Sequence, residues 1–171
     1  KGLNLEEPDL TFVLGTASTH TVDIAQSYAT FAARGERAAT TTIRSVSATD
    51  GSVLYERIDD PQRAFDENTA DVVNFALQSV VNNGTGGPAR ALGRQVAAKT
   101  GSTDEYRSAW FAGYVPQLAS AVSFSKNDKN GNVLSLSGVG GQVQFFGSGF
   151  PARLWTAFMI GALADIPAEE F

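Results

Sequence analysis

Cysteine is absent from the 171 residues, and histidine and methionine occur once each. The first absence excludes a disulfide framework and a thiol nucleophile, and with His20 as the sole imidazole there is no cysteine/histidine set for a structural zinc. It does not fix the compartment, because a reducing cytoplasm and export without disulfides both accommodate such a chain. Histidine-based nucleophilic catalysis would have to recruit His20, which lies between Thr19 and Thr21 at a helix start and reads as a surface residue. Asp59-Asp60 and Glu169-Glu170 read as solvated acidic pairs, so no metal site is expected. No run approaches the roughly 18 to 20 apolar residues that span a bilayer, and Lys1-Gly2-Leu3-Asn4 lacks the apolar core of a signal peptide. Any targeting segment is therefore expected outside this chain. Blocks of like charge are missing as well: 13 basic against 18 acidic residues give a net charge of -5 with no basic patch, so nucleic acid is not an expected partner.

What is present is the composition of a folded domain with one ordinary core, 43% hydrophobic and 18% charged. Thr19 to Gly35 has helical spacing in Val22, Ala25, Ala29 and Ala32-Ala33, with Thr19 or Thr21 as cap and Gly35 as terminator. Thr40-Thr41-Thr42-Ile43, Asp50-Gly51 and Ser52-Val53-Leu54-Tyr55 predict a peripheral hairpin. Asp66 to Asn82 predicts a helix with a broad apolar stripe, ended by Asn82-Asn83-Gly84-Thr85-Gly86-Gly87. Gln95 to Thr100, Ala109 to Val115 and Leu118 to Phe124 predict three strands, followed by a turn at Asn127 to Gly131. A Gly-rich stretch, Gly138 to Gly149, leads to a last helix through Leu154, Trp155, Phe158, Met159 and Leu163, with Pro151 in its first turn. Helices before and after a run of strands predict an α/β sandwich of the α+β class, its antiparallel sheet covered by helices on both faces, with no repeat and no internal domain boundary.

Ala97-Ala98-Lys99-Thr100-Gly101-Ser102-Thr103, followed by Ala109 to Pro116, resembles the third catalytic motif and the next strand of the penicillin-binding proteins. Three further segments agree with that family in the same order: Leu14-Gly15-Thr16-Ala17 through Gln26 to Ala32, Ala76 to Val81 with Gly84-Thr85-Gly86, and Phe150 to Trp155. Together they span nearly the whole chain, and the likeness is strongest to the transpeptidase domain of the bifunctional, class A type. The resemblance implies a penicillin-binding, serine transpeptidase-like fold of which residues 1–171 are the C-terminal part. It implies no cofactor, and it implies a serine enzyme at the outer face of the bacterial membrane that transfers peptidoglycan stem peptides and is acylated by β-lactams.

On that resemblance Lys99 supplies a positive charge for the serine network and for the substrate carboxylate, and Thr100 donates its hydroxyl to the same carboxylate. Gly101 lets a peptide or antibiotic approach the strand edge, Ser102 provides a hydroxyl and the backbone N–H of the oxyanion hole, and Thr103 closes the substrate-binding set. Arg107, Trp110 and Phe146 are candidates to line the cleft. Read without the resemblance, Lys99 is a solvated strand-end lysine and Thr100 to Thr103 a polar turn. Gly84-Thr85-Gly86-Gly87 lacks the Gly-Lys-Ser/Thr of a phosphate loop and follows a helix, so it reads as a terminator without ligand. Asn83-Gly84-Thr85 matches a glycosylation sequon by chance.

The family also requires Ser-x-x-Lys, which bears the nucleophile, and Ser-x-Asn. Ser123-Phe124-Ser125-Lys126 and Ser125-Lys126-Asn127 match these patterns, but they overlap, follow Lys99-Thr100-Gly101 instead of preceding it, and sit where a strand runs into a turn. The nucleophile is therefore expected on a front half of the domain, upstream or on a second associated chain, and this polypeptide alone is expected to be inactive. A penicillin-recognising sensor on the same fold and a serine β-lactamase are the alternatives, the second weakened by the lack of a deacylating glutamate motif.

Overall fold

A computed structural model describes Gly15 and residues 18–171. Lys1 to Asn4, and all of Leu14 to Ala17 except Gly15, lie outside the described residues. Helix α1 (Thr21–Ala32) is entered through His20, whose extended backbone makes it the N-cap without a side-chain bond. The His20 carbonyl instead accepts from the Asp23 and Ile24 N–H groups. Neither Thr19 nor Thr21 caps the helix as the local pattern predicts, because the Thr21 hydroxyl shares a 2.8 Å hydrogen bond with Ser123. Gly35, at φ +93°, ends the helix as expected.

Strand β1 (Glu36–Arg37) leaves α1 and pairs with β4 (Gln62–Arg63), while β2 (Ser45–Ser47) and β3 (Val53–Glu56) form a hairpin around Gly51. The hairpin's first strand lies at Ser45–Ser47 and not at the expected Thr40 to Ile43. Its residues are all exposed, so no packed face fixes the register from the β-branched run. Helix α2 (Glu67–Asn83) is capped by Asp66, which accepts from the Thr69 N–H at 2.8 Å.

A 3-10 segment, Gly87–Leu92, leads into the main sheet: β5 (Ala97–Ser102), β6 (Ser108–Val115), β7 (Leu118–Asn127) and the short β8 (Val133–Leu134), antiparallel and in that spatial order. Helix α3 (Phe150–Ala162) starts at Phe150-Pro151, the first-turn proline that the sequence predicts. Successive strand residues face opposite sides, one covered by α3 and the other by α1, while α2 contributes side chains to both. Ala98, Phe111 and Val115 pack against Trp155, Met159 and Leu163 of the α3 region, with Val81 and Ala89 completing the cluster. Trp155 places its indole N–H on the Ser120 carbonyl at 3.0 Å, so the buried ring has no orphaned donor. On the other side Tyr114 donates to Asn74 of α2 and meets Tyr28 of α1 edge-on, with ring centroids 5.9 Å apart. The antiparallel sheet is thus covered by helices on both faces, as the sequence pattern predicts.

Burial pushes the Tyr28 phenol up from an ordinary 10.0 to about 12, and pushes Tyr114 higher. A folded-state value above the unfolded one means that the contribution to stability is complete below pH 10 and is lost as pH rises through about 12. Tyr28→Phe, tested in the complete protein by circular dichroism against pH, should move alkaline unfolding to higher pH and leave the neutral-pH signal unchanged.

Candidate active site

Among the described residues no strand pairs with β5 on the side away from β6. The strand is buried at Ala97 and Ala98 and emerges at Lys99. Small residues are needed at the buried end: a Cβ on Gly113, opposite Ala98, would lie 2.7 Å from the Ala98 Cβ and 3.1 Å from the Trp155 ring.

The Thr103 N–H donates to the Ser108 carbonyl at 3.1 Å, which fixes the phase of the ladder. Backbone groups of an antiparallel strand alternate between its two neighbours, so Lys99 and Gly101 turn theirs toward β6, and Thr100 and Ser102 turn theirs to the open edge. The Lys99 ammonium agrees with that phase, reaching the outward Thr100 carbonyl at 2.7 Å. Lys99, Thr100 and Ser102 thus present an ammonium, a hydroxyl and an outward N–H within one short accessible strip of the strand.

Each neighbouring hydroxyl has a partner. The Thr100 hydroxyl shares a 2.7 Å hydrogen bond with the Thr85 hydroxyl. The Ser102 hydroxyl accepts from the Gly147 N–H at 3.0 Å, which leaves its own proton to donate. The Thr103 hydroxyl accepts from the Ser108 N–H at 2.8 Å, so it closes the β5–β6 turn. Two consecutive non-glycine residues of that turn, Glu105 and Tyr106, hold positive φ of 58° and 55°. Conformations of this kind persist only where surrounding contacts enforce them. Here Ser135 donates to the Glu105 carbonyl at 2.7 Å, the Leu136 N–H donates to the Tyr106 carbonyl at 2.8 Å, and Phe146 lies edge-on to the Tyr106 ring. Arg107 is engaged by Glu105 at 2.6 Å, and Trp110 sits directly across from Gly101.

Ser123 and Ser125 lie within β7, Ser123 bonded to Thr21, and Lys126 and Asn127 pair with β8. No helix begins at either serine. Two residues of the strip's surroundings carry no local signal of this placement. Thr85 is held in the terminator after α2, where the Gly84 and Gly86 N–H groups both donate to the Val80 carbonyl at 3.1 and 2.9 Å. Gly147 is buried against β5, and a Cβ there would strike the Trp110 carbonyl and lie 2.7 Å from the Gly101 carbonyl oxygen.

The family profile described as "Penicillin binding protein transpeptidase domain" matches residues 9–141. The chain is 33% identical over 171 residues to penicillin-binding protein 1A of Mycolicibacterium smegmatis, covering 96% of this chain and 21% of that protein. It superposes on the penicillin-binding protein PonA1 of Mycobacterium tuberculosis with a TM-score of 0.80 and 31% identity, over 96% of this chain and 43% of the other. A second structure of PonA1, in complex with penicillin V, gives a TM-score of 0.76 at 29% identity, with the same coverage of 96% and 43%. The chain thus spans about a fifth of the length of the curated relative it matches.

Proposed function

The chain belongs to the penicillin-binding protein transpeptidase family, on its class A side, and from that premise we propose that it is the C-terminal part of a peptidoglycan DD-transpeptidase domain. The observation that carries the reading is the open edge of β5, where a lysine ammonium, a threonine hydroxyl and an outward backbone N–H share one strip. An extended peptide or a β-lactam adds to such an edge by strand-like hydrogen bonds, and its carboxylate is met by Lys99 and Thr100. The Ser102 N–H then points at the carbonyl oxygen on which negative charge develops, as one of the two donors of an oxyanion hole.

In this reading a serine Oγ bonds to the carbonyl carbon of the penultimate D-alanine, the amide to the terminal D-alanine breaks, and the serine proton leaves on the departing amine. An amine of a neighbouring stem peptide then takes the acyl group and restores the serine. That serine, its lysine and the Ser-x-Asn element belong to the front half of the same domain, as a preceding segment or an associated chain. The sheet supports such a partner: β8 pairs only with Lys126 and Asn127, so among the described residues the half-buried stretch from Leu118 to Phe124 has no strand on its outer side. The reading places the domain at the extracytoplasmic face of the membrane. Among the described residues no helix is long and apolar enough to cross a bilayer, and the anchor is assigned to a preceding segment.

Mass spectrometry after a fluorescent penicillin is added to the complete protein tests this assignment. The adduct should fall on a serine outside residues 1–171, and residues 1–171 produced alone should gain no mass. An adduct on Ser123 or Ser125 would overturn it, and acylation without release of D-alanine from a stem peptide would replace the transferase by a β-lactam sensor.

A further inference from the structure

Gly84-Thr85-Gly86 ends α2, but a terminator does not need a threonine at its centre. Gly84 and Gly86 fit against the last turn of the helix: a Cβ on Gly84 would lie 2.9 Å from the Val80 carbonyl, and one on Gly86 would lie 3.1 Å from the same oxygen. Both N–H groups bond that carbonyl. The residue between them is pinned by its neighbours, and its hydroxyl projects onto the Thr100 hydroxyl at 2.7 Å. Both threonines remain accessible, Thr85 exposed and Thr100 half-buried, so the pair sits at the surface of the strip and not in the core.

A hydroxyl has one proton to donate, and Thr100 can direct it to Thr85 or to a ligand. If Thr100 gave its proton to Thr85, it would offer a carboxylate only lone pairs, which repel. If Thr85 donates, the Thr100 oxygen is satisfied as an acceptor, its rotamer is fixed, and its proton is left for an anion. Donation into Thr100 also polarises its O–H, because hydrogen bonds in a chain strengthen one another. A carboxylate at the edge selects the second arrangement. We infer that Thr85 is a positioning residue of the carboxylate subsite: it donates to Thr100, which in turn donates to the carboxylate of a β-lactam or stem peptide. This rests on the proposed transpeptidase reading and adds a residue from outside the strand motif.

The test uses the complete transpeptidase and the second-order rate constant of acylation by benzylpenicillin, measured for wild type, Thr85→Val, Thr85→Ser, Thr100→Val and the Thr85→Val/Thr100→Val double variant. Thr85→Val keeps the shape and removes the hydroxyl. It should slow acylation about fivefold, the factor that corresponds to one hydrogen bond of about 1 kcal/mol, and the loss should appear in ligand affinity more than in the maximal acylation rate. Thr85→Ser should restore the rate. In the Thr100→Val background the Thr85 substitution should have no further effect, since the relay is already broken. Wild-type speed in Thr85→Val, or an undiminished Thr85 effect on top of Thr100→Val, would overturn the inference. Equal loss in Thr85→Val and Thr85→Ser with a lowered melting temperature would overturn it too, by reducing Thr85 to a part of the turn. If wild type itself is not acylated, the transpeptidase reading fails, an outcome distinct from all of these.

Discussion

Lys99→Met in the complete domain should lower the second-order rate of penicillin acylation by about ten- to a hundredfold, the range that one hydrogen bond to a charged group, about 1.5 to 3 kcal/mol, corresponds to. Methionine keeps most of the stem and removes only the ammonium, so the change isolates the charge. The charge has a defined place: Lys99 emerges where β5 leaves the core and reaches the outward Thr100 carbonyl at 2.7 Å, along the edge on which a ligand would lie. A lysine that merely decorated a strand end would also be exposed, and the two readings part on function. An exposed, structurally idle ammonium can be removed without consequence for folding or chemistry. On the proposed role, the variant should fold with an unchanged melting temperature and lose acylation. Lys99→Arg should rescue poorly, because a planar, forked guanidinium does not reproduce a compact ammonium at the same reach. Wild-type acylation in Lys99→Met would remove this residue from the site.

The sheet and the two longer helices were legible because each has a buried face that writes a period into the sequence. Val96, Ala98, Phe111 and Val115 fill the α3 side of the sheet, and strands that must place such residues inward cannot shift by one position. The hairpin at Ser45–Ser47 and Val53–Glu56 has no such face, and the exposed Thr40 to Ile43 run therefore misleads about its first strand. At the start of α1, Thr21 is an ordinary cap candidate until Ser123, 102 residues away in the chain, takes its hydroxyl. The site divides in the same way. The strip from Lys99 to Ser102 is contiguous and carries a family resemblance, so it could be read before any fold was known. The partners of its hydroxyls, Thr85 and Gly147, come from a helix terminator and a Gly-rich connection, 15 and 45 residues away. Their local sequences describe turns, and only the closed sheet gives those turns something to touch.

Gly147→Ala should cost the domain about 1 to 3 kcal/mol of stability, the usual range for overpacking, and should also slow acylation. Glycine is required here for space and not for conformation, since Gly147 has no positive φ. A methyl group would strike the Trp110 carbonyl and lie 2.7 Å from the Gly101 carbonyl oxygen and 3.0 Å from the Gly101 nitrogen. All three atoms belong to strand backbone, which cannot swing aside as the end of a flexible side chain can. The connection before α3 must therefore back away from β5. Two anchors resist: the Gly147 N–H bonds the Ser102 hydroxyl at 3.0 Å, and the Gly147 carbonyl accepts from the Ala152 N–H at 3.1 Å inside the first turn of α3. Phe145 beside it is buried in the cluster with Ala109 and Leu136 that underlies the β5–β6 turn. Retreat of the connection would release Ser102 and loosen that cluster, so the residue whose N–H faces the open edge would lose its support on the opposite side. Urea unfolding and penicillin acylation of the same complete protein, carrying Gly147→Ala, separate the two effects. A drop in midpoint with acylation slowed in the protein still folded without denaturant is the expected pair. Full stability with full acylation would mean that the connection adapts around the methyl group and that the contact between Gly147 and Gly101 places no demand on the site.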